Sequence, residues 1–477
     1  MKALALAVLA ACAAEPPTPR PPAWIADTSA FTPGRPASPI ADRYRSTAER
    51  ILAAARGDRD AFAKLRQLTD HIGNRISGSP QLDRAIAWAA QAMTADGLDV
   101  RTEKVMVPHW VRGAEDADLV SPIARKLHVL GLGGSVGGTV TAPVVVVHDW
   151  AELDAKQASV RGAIVVYDVA MAPYSEEKGS GYGTAVDYRV HGSRAAKYGA
   201  VAALVRSITA HSLRTPHTGA MGYEDGVAKI PTAAITVEDA MLLDRLAAEG
   251  PVTVHVHLDD QLLPDAPSAN VLGELRGTEH PEQVVVIGAH LDSWDVGQGA
   301  HDDGAGVAVC MQALAELRRL GLAPRRTIRV VLFTNEENGI AGAKAYAKEH
   351  AAELPDTVAA LETDSGGFAP RGFSIDAKDP VVAARAKGRL AEIASLLAPI
   401  HATRVAIGGH GSDVSPMAPA GVVVGSLDVD GRTYFDIHHT EADTLDKVDP
   451  ATLADDVAAM AVFAYVVADL PQRLDAP

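Results

Sequence analysis

Two apolar runs, residues 284–287 (Val-Val-Val-Ile) and 328–333 (Ile-Arg-Val-Val-Leu-Phe), enclose a segment that carries Val307, Met311, Leu314 and Leu317 on one helical face. Short runs rich in β-branched residues pack well on a pleated surface, whereas the longer segment has the spacing of an amphipathic helix. Gly304 stands at the start of that helix, and Gly321 and Pro324 end it. Strand, helix and strand in that order form a right-handed crossover whose functional groups collect at the carboxyl ends of the strands. The fold class that follows is α/β.

The remaining chain divides around this unit. Residues 46–93 place Ile51, Leu52, Phe62, Leu65, Leu68, Leu82, Ile86 and Met93 at helical intervals, and residues 100–107 alternate as a strand does. Between 119 and 265 the pattern changes to short valine-rich strands, at 144–147 and 163–167, with a helical stretch near 193–198. We read 46–118 and 266–470 as two parts of one α/β domain, and 119–265 as a β-rich insert. Ahead of them, Met1-Lys2 and the apolar run 3–11 have the form of a signal peptide. Leu9-Ala10-Ala11-Cys12 matches a lipoprotein signal, which sets the leader at 1–12 with a lipid on Cys12; ordinary cleavage after Ala13 is the alternative. Residues 13–45 read as a proline-rich, extended linker. Either leader implies export, to the periplasm, an outer-membrane anchor or the medium.

Beyond the leader, no segment is expected to reach the length of a membrane span. The net charge of −16, from 60 acidic and 44 basic side chains, repels nucleic acid and anionic lipid. Membrane contact is therefore expected only through a lipid on Cys12. Cys12 and Cys310 are the only cysteines, so no disulfide framework exists, and Cys310 falls inside the helical pattern as a small core residue.

The chemistry-bearing residues cluster where strands run out. Gly288-Ala289-His290-Leu291-Asp292 follows the first apolar run, so His290 can offer a ring nitrogen to a metal while Asp292 accepts the other ring N–H. His301-Asp302-Asp303-Gly304 opens the helix, and Asp302 is suited to be shared by two metals. Thr334-Asn335-Glu336-Glu337 follows the second run; adjacent glutamates there point in different directions, so one can bind metal and the other handle a proton. Glu362-Thr363-Asp364 and His438-His439-Thr440-Glu441-Ala442-Asp443 complete the set. Each cluster alone reads more simply as a turn, a cap or a structural histidine. Five at successive element ends point to a metal held by nitrogen and oxygen: zinc, or less specifically manganese or cobalt.

The order His-x-Asp, Asp-Asp-Gly-x-Gly, Glu-Glu, Asp, His-x-x-x-Asp-Thr resembles the family of co-catalytic zinc peptidases that includes bacterial leucyl aminopeptidase and glutamate carboxypeptidase. The strings Pro216-His217-Thr218-Gly219, Lys229-Ile230-Pro231-Thr232 and Ile235-Thr236-Val237-Glu238-Asp239 extend that likeness through the insert, so it covers nearly everything after the spacer. The resemblance implies a mixed-sheet, three-layer α/β/α zinc-exopeptidase domain with an inserted protease-associated domain. It implies two Zn2+ ions per chain, one on His290 and Asp364, a second on Glu337 and His439, with Asp302 bridging. Glu336 matches the general base, with Asp292 beside it in the catalytic set. Unsubstituted dipeptides or short peptides are the implied substrates, aminopeptidase action on longer peptides is the alternative, and a homodimer is the implied assembly. His301, ahead of the bridging aspartate, departs from the family's expected residue.

Three rivals are weaker. A serine hydrolase built on Ser412 lacks a Gly-x-Ser-x-Gly elbow. A nucleotide site in Gly131-Leu132-Gly133-Gly134-Ser135-Val136-Gly137 has Val136 where the fingerprint needs glycine. A non-catalytic binding protein would have no use for Glu336. Trp294 and Tyr434 line a cleft or pack against its walls, and His301, His410 and His438 read as structural rather than substrate contacts.

Overall fold

Alternation along each strand decides which of two helical layers it feeds. In the central strand Val285, Ile287 and Ala289 join one apolar cluster, while Val284 and Val286 join another on the opposite face. The computed structural model describes residues 38–477. The expected leader, the lipid on Cys12 and the linker up to residue 37 lie outside the described residues.

The main sheet has eight strands: β1 (Asp99–Val111), β2 (Gln261–Leu275), β3 (His280–His290), β4 (Arg326–Phe333), β5 (Thr357–Glu362), β6 (Pro370–Asp376), β7 (Arg404–Ile407) and β8 (Val423–Val429). Their spatial order is β1-β2-β4-β3-β5-β8-β6-β7. The four central strands β4, β3, β5 and β8 run parallel, β2, β6 and β7 run opposite to them, and β1 pairs antiparallel with β2, so the sheet is mixed. One face is covered by α1 (Pro39–Gly57), α2 (Pro80–Ala95), α3 (Ala305–Arg319), α5 (Pro380–Ala394) and α6 (Pro450–Asp469). The other carries the shorter α4 (Ala341–Glu349). These are the three layers of an α/β/α fold.

Helix starts follow local chemistry. Ser79 accepts from the Leu82 N–H at 3.2 Å ahead of Pro80, and Asp449 accepts from the Thr452 N–H at 2.8 Å ahead of Pro450. Such caps contribute about 1 kcal/mol each, and proline at the first helical position costs nothing because its missing N–H has no partner there.

A second sheet of eight strands takes in 115–121, 125–127, 129–131, 138–147, 164–167, 202–206, 232–235 and 253–258. The insert therefore spans more of the sequence at its start than the expected boundary at 119, and β2, starting at Gln261, already belongs to the main sheet. The composition shift missed these limits because only the short connections 112–114 and 259–260 separate the strands of one sheet from those of the other. The expected linker is likewise too long, since Pro39–Gly57 is helical. Its Tyr44, Ala48, Ile51 and Leu52 are buried, which proline content alone could not reveal. Finally, α6 is long and apolar enough to cross a membrane, contrary to expectation, but 83% of its apolar window is buried in the protein as the core helix packed on α3.

Candidate metal centre

β3 ends on His290, which pairs in register with Phe333, the last residue of β4, while Gly288 is level with Glu362 at the end of β5. The parallel strands therefore deliver three of the five sequence clusters to one sheet edge. The fourth, 300–304, lies in the connection from β3 to α3. There the Asp443 carboxylate accepts from the His301 N–H at 2.7 Å and the Asp302 N–H at 3.1 Å, which fixes the backbone carrying Asp302. Asp303 bridges the same turn, accepting from His290 N–H and Gly306 N–H at 3.1 Å each. A Cβ on Gly306 would sit 2.1 Å from the Thr363 carbonyl oxygen, so only glycine allows this approach.

Two histidines are presented in the same way. His290 is held through Nδ1 to the Asp292 carbonyl oxygen at 3.0 Å, and His439 through Nδ1 to the Thr218 carbonyl oxygen at 3.2 Å. A carbonyl only accepts, so both Nδ1 atoms carry the proton and both Nε2 atoms are left to face inward. His290 Nε2 lies 3.2 Å from Asp302 Oδ1 and 3.5 Å from Asp364 Oδ1. His439 Nε2 lies 3.2 Å from Asp302 Oδ2 and 3.1 Å from Glu337 Oε2. Ligand atoms about 2.1 Å from a tetrahedral zinc stand about 3.4 Å from one another. The His290, Asp302 and Asp364 atoms lie within 4.8 Å of one another, as do those of Asp302, His438 and His439, while Glu337 approaches the second group through His439. Asp302 Oδ2 and Glu337 Oε1 are buried without a hydrogen-bond partner, a cost that a cation would remove.

The crowding of carboxylates sets the electrostatics. Burial, with the Asp302 charge beside it, pushes Glu337 up to about 8. Burial outweighs the His290 contact and raises Asp364 to about 6. Against burial, which lowers it, Glu337 and Asp302 lift His439 to about 9. Folded metal-free chain thus binds more protons than unfolded chain, at Glu337 between 4.5 and about 8 and at His439 between 6.5 and about 9. Their stabilisation is complete at low pH and lost as pH rises through that window. Calorimetry should therefore show metal-free protein falling in Tm between pH 7 and pH 9, by about 5 °C or more relative to the zinc-loaded form, which replaces those protons. A Tm difference that stays constant with pH would contradict this.

The structure brings His290, Asp302, Glu337, Asp364 and His439 together and sets Glu336, half-buried, on the wall of an adjoining cavity of about 720 Å³. Asp292 differs from expectation. Its carboxylate stands 3.7 Å from His290 Nδ1 and instead accepts from the Glu336 N–H at 3.1 Å and the Glu337 N–H at 3.3 Å. The short loop after β3 brings the backbone carbonyl closer to the ring than the side chain. His301 is structural: it stacks on Phe368 and its Nδ1 accepts from the Gly367 N–H at 3.1 Å. His438 stacks on His439 and reaches Asp302 Oδ2 at 3.6 Å, a longer approach than either pair made by His439. His410 is exposed, and Cys310 is buried.

Trp294 is buried against Trp110 and His439, and a Cβ on Gly133 would meet its ring at 2.0 Å. The glycine run around 133 therefore serves packing. Tyr434, largely buried, lines the cavity. Sequence reading gave no role to Asp443 or to Arg75, whose buried guanidinium donates to the carbonyls of Leu291, Gln298 and Gly299 and clamps the loop after β3. It also missed Thr218 and Arg189, both in the insert. The quoted string containing Thr218 was the available signal, but nothing in it says what it touches.

Known proteins resemble this chain over most of its length. Residues 270–464 match Peptidase family M28. Carboxypeptidase Q of Mus musculus is 42% identical over 420 residues, which cover 87% of each chain. The crystal structure of a Peptidase M28 precursor from Shewanella amazonensis SB2B superposes with a TM-score of 0.84 at 36% identity, covering 91% of this chain and 98% of that one. A zinc aminopeptidase from Bacillus subtilis, at 20% identity, TM-score 0.60 and coverage of 84% and 93%, shares the fold. With identity sustained over most of both chains and the mixed α/β sheet in common, this chain belongs to peptidase family M28 and is a metallo-exopeptidase similar to carboxypeptidase Q.

Proposed function

We propose that the chain hydrolyses unblocked dipeptides and other short peptides with two zinc ions, His290 and Asp364 holding one, Glu337 and His439 the other, and Asp302 shared. The observation that carries this reading is the pair of inward-facing Nε2 atoms, each against two carboxylate oxygens with Asp302 common to both sets. Donors limited to imidazole and carboxylate suit zinc. When bound, zinc supplies Lewis-acid polarisation of the scissile carbonyl and lowers the pKa of a coordinated water to about 7.

The protein's own groups supply the rest. Glu336 takes a proton from the attacking water and passes it to the leaving amine. Asp292 acts through backbone, since its carboxylate holds the Glu336 and Glu337 N–H groups and so aims both side chains. The cavity, walled by Tyr182, Tyr434 and Phe435, has the volume of a small-ligand site. Action on substrates with a free carboxyl end follows the name of the carboxypeptidase Q relative.

The same reading takes the insert as a protease-associated domain, the chain as exported with a lipid on Cys12, and the working form as a homodimer. Its test uses purified protein lacking the first 12 residues. Metal analysis should find about two zinc ions per chain, and a mixed set of dipeptides should be cleaved, lost on chelation and recovered with zinc. Cleavage indifferent to chelation, or protein without metal, would overturn it.

A further inference from the structure

Arg112 begins the connection 112–114 that leads from β1 into the insert, and its side chain is 12% exposed. All five of its N–H donors are used. Nε and Nη2 hold the Asp295 carboxylate at 2.8 and 2.9 Å. Nη1 reaches Glu115 Oε1 at 2.8 Å and the Gly131 carbonyl oxygen at 2.7 Å, and Nη2 also reaches Thr218 Oγ1 at 3.3 Å. Asp295 lies in the loop after β3, whereas Glu115, Gly131 and Thr218 belong to the insert. One guanidinium therefore joins the two parts of the molecule.

Both sides of that junction lead to His439. Thr218 clasps it by backbone, its N–H donating to the His439 carbonyl oxygen at 3.0 Å and its carbonyl accepting from His439 Nδ1 at 3.2 Å. Thr218 Oγ1 in turn donates at 2.7 Å to the Gly131 carbonyl oxygen, the same atom that Arg112 Nη1 holds. A Cβ on Gly131 would stand 2.3 Å from Glu115 Oε1, so only glycine lets this backbone in. On the other side Trp294, next to Asp295, stands 5.5 Å from the His439 ring, and Trp110, 4.8 Å from Arg112 Cζ, packs edge-on against Trp294. We infer that Arg112 is a positioning residue for the metal centre, tying the loop after β3 to Thr218 so that His439 presents Nε2 to its ion. This rests on the proposed two-zinc reading and names what aligns one half of it.

The effect is confined to that half. His290 is held independently: Asp303 accepts from its N–H at 3.1 Å, and Arg75 donates to the Leu291, Gln298 and Gly299 carbonyls. Asn74 Nδ2 holds the Asp295 carbonyl oxygen at 2.7 Å, so the loop backbone keeps its place without Arg112. The Asp295 and Glu115 carboxylates, 17% and 8% exposed, have this guanidinium as their one ion-pair partner among the described residues. Removing it leaves two poorly solvated negative charges unpaired at the junction, which loosens the contact that holds Thr218. Lysine can replace the charge but not the planar fork that grips Asp295 with two bonds.

The test titrates metal-free protein with zinc in competition with a chromogenic chelator. Wild type should take up two ions. Arg112→Met should keep one as tightly as wild type and hold the other about 10- to 100-fold more weakly, the range for losing a group that orients a metal-binding side chain. Dipeptide cleavage should fall with that second ion and recover as zinc is raised, and Arg112→Lys should lose less. In a His439→Ala background, where only the His290 ion remains, Arg112→Met should change zinc affinity no further. Equal weakening of both ions, wild-type affinity for both in a folded Arg112→Met, or a further loss in the His439→Ala background would each overturn the inference. If Arg112→Met fails to fold, Asp295→Asn, which keeps the shape of the side chain and removes its charge, reads the same link with the same outcomes for and against. Wild type that binds fewer than two zinc ions would instead sink the two-zinc reading, and this inference with it.

Discussion

Glu336→Gln should retain its zinc and lower kcat by about 1,000-fold with KM nearly unchanged, the range of a lost general base. The expectation comes from how the two glutamates are held. Asp292 fixes the backbone of both, and Asn335, at a φ of +66°, accepts from the Ala341 N–H through Oδ1 at 3.1 Å, so the turn that aims them does not depend on the Glu336 side chain. Glutamine keeps the shape and loses only the ability to take a proton. Glu337, one residue on, meets His439 Nε2 at 3.1 Å. Metal analysis beside steady-state kinetics separates the roles: full activity in Glu336→Gln would remove the base from this residue, and loss of zinc would make it a ligand.

How much of this was legible in the sequence depends on the range of the contact. The strand, helix and strand around 284–333 stand close to where periodicity puts them, because burial on both faces leaves an unmistakable apolar run. Three of the five clusters were visible because parallel strands end at one edge, so residues just after each apolar run share a place. What supports them was hidden. Asp443 holds Asp302 from 141 residues away, Arg75 reaches Gln298 across 223, and Thr218 fixes His439 across 221. Local pattern carries no trace of such pairings. The insert was read as a β-rich domain with no residue of its own at the site, yet Thr218 N–H donates to the His439 carbonyl oxygen at 3.0 Å while its own carbonyl orients that ring. Its limits were missed too, since β1 and β2 pair over twelve residue positions on their way between the two sheets.

Asp302→Ala should have the largest effect of any single change, because both histidines converge on that one carboxylate. Without it each Nε2 keeps a single carboxylate neighbour, Asp364 at 3.5 Å or Glu337 at 3.1 Å, and two ligands do not hold zinc as three do. The fold has other support there. Asp443 binds the backbone N–H groups of residues 301 and 302, and Asp303 binds those of His290 and Gly306, none of which involves the Asp302 side chain. The variant should therefore fold, carry well under one zinc per chain, and lose at least about 10,000-fold in kcat/KM, since metal polarisation contributes several kcal/mol to the transition state. Its metal-free form should lose less Tm than wild type between pH 7 and pH 9, as removing the Asp302 charge lets Glu337 fall back toward its usual range. Retention of both metals in a folded Asp302→Ala would mean that each set closes without it, with His438, 3.6 Å from the same oxygen, as the residue to test next.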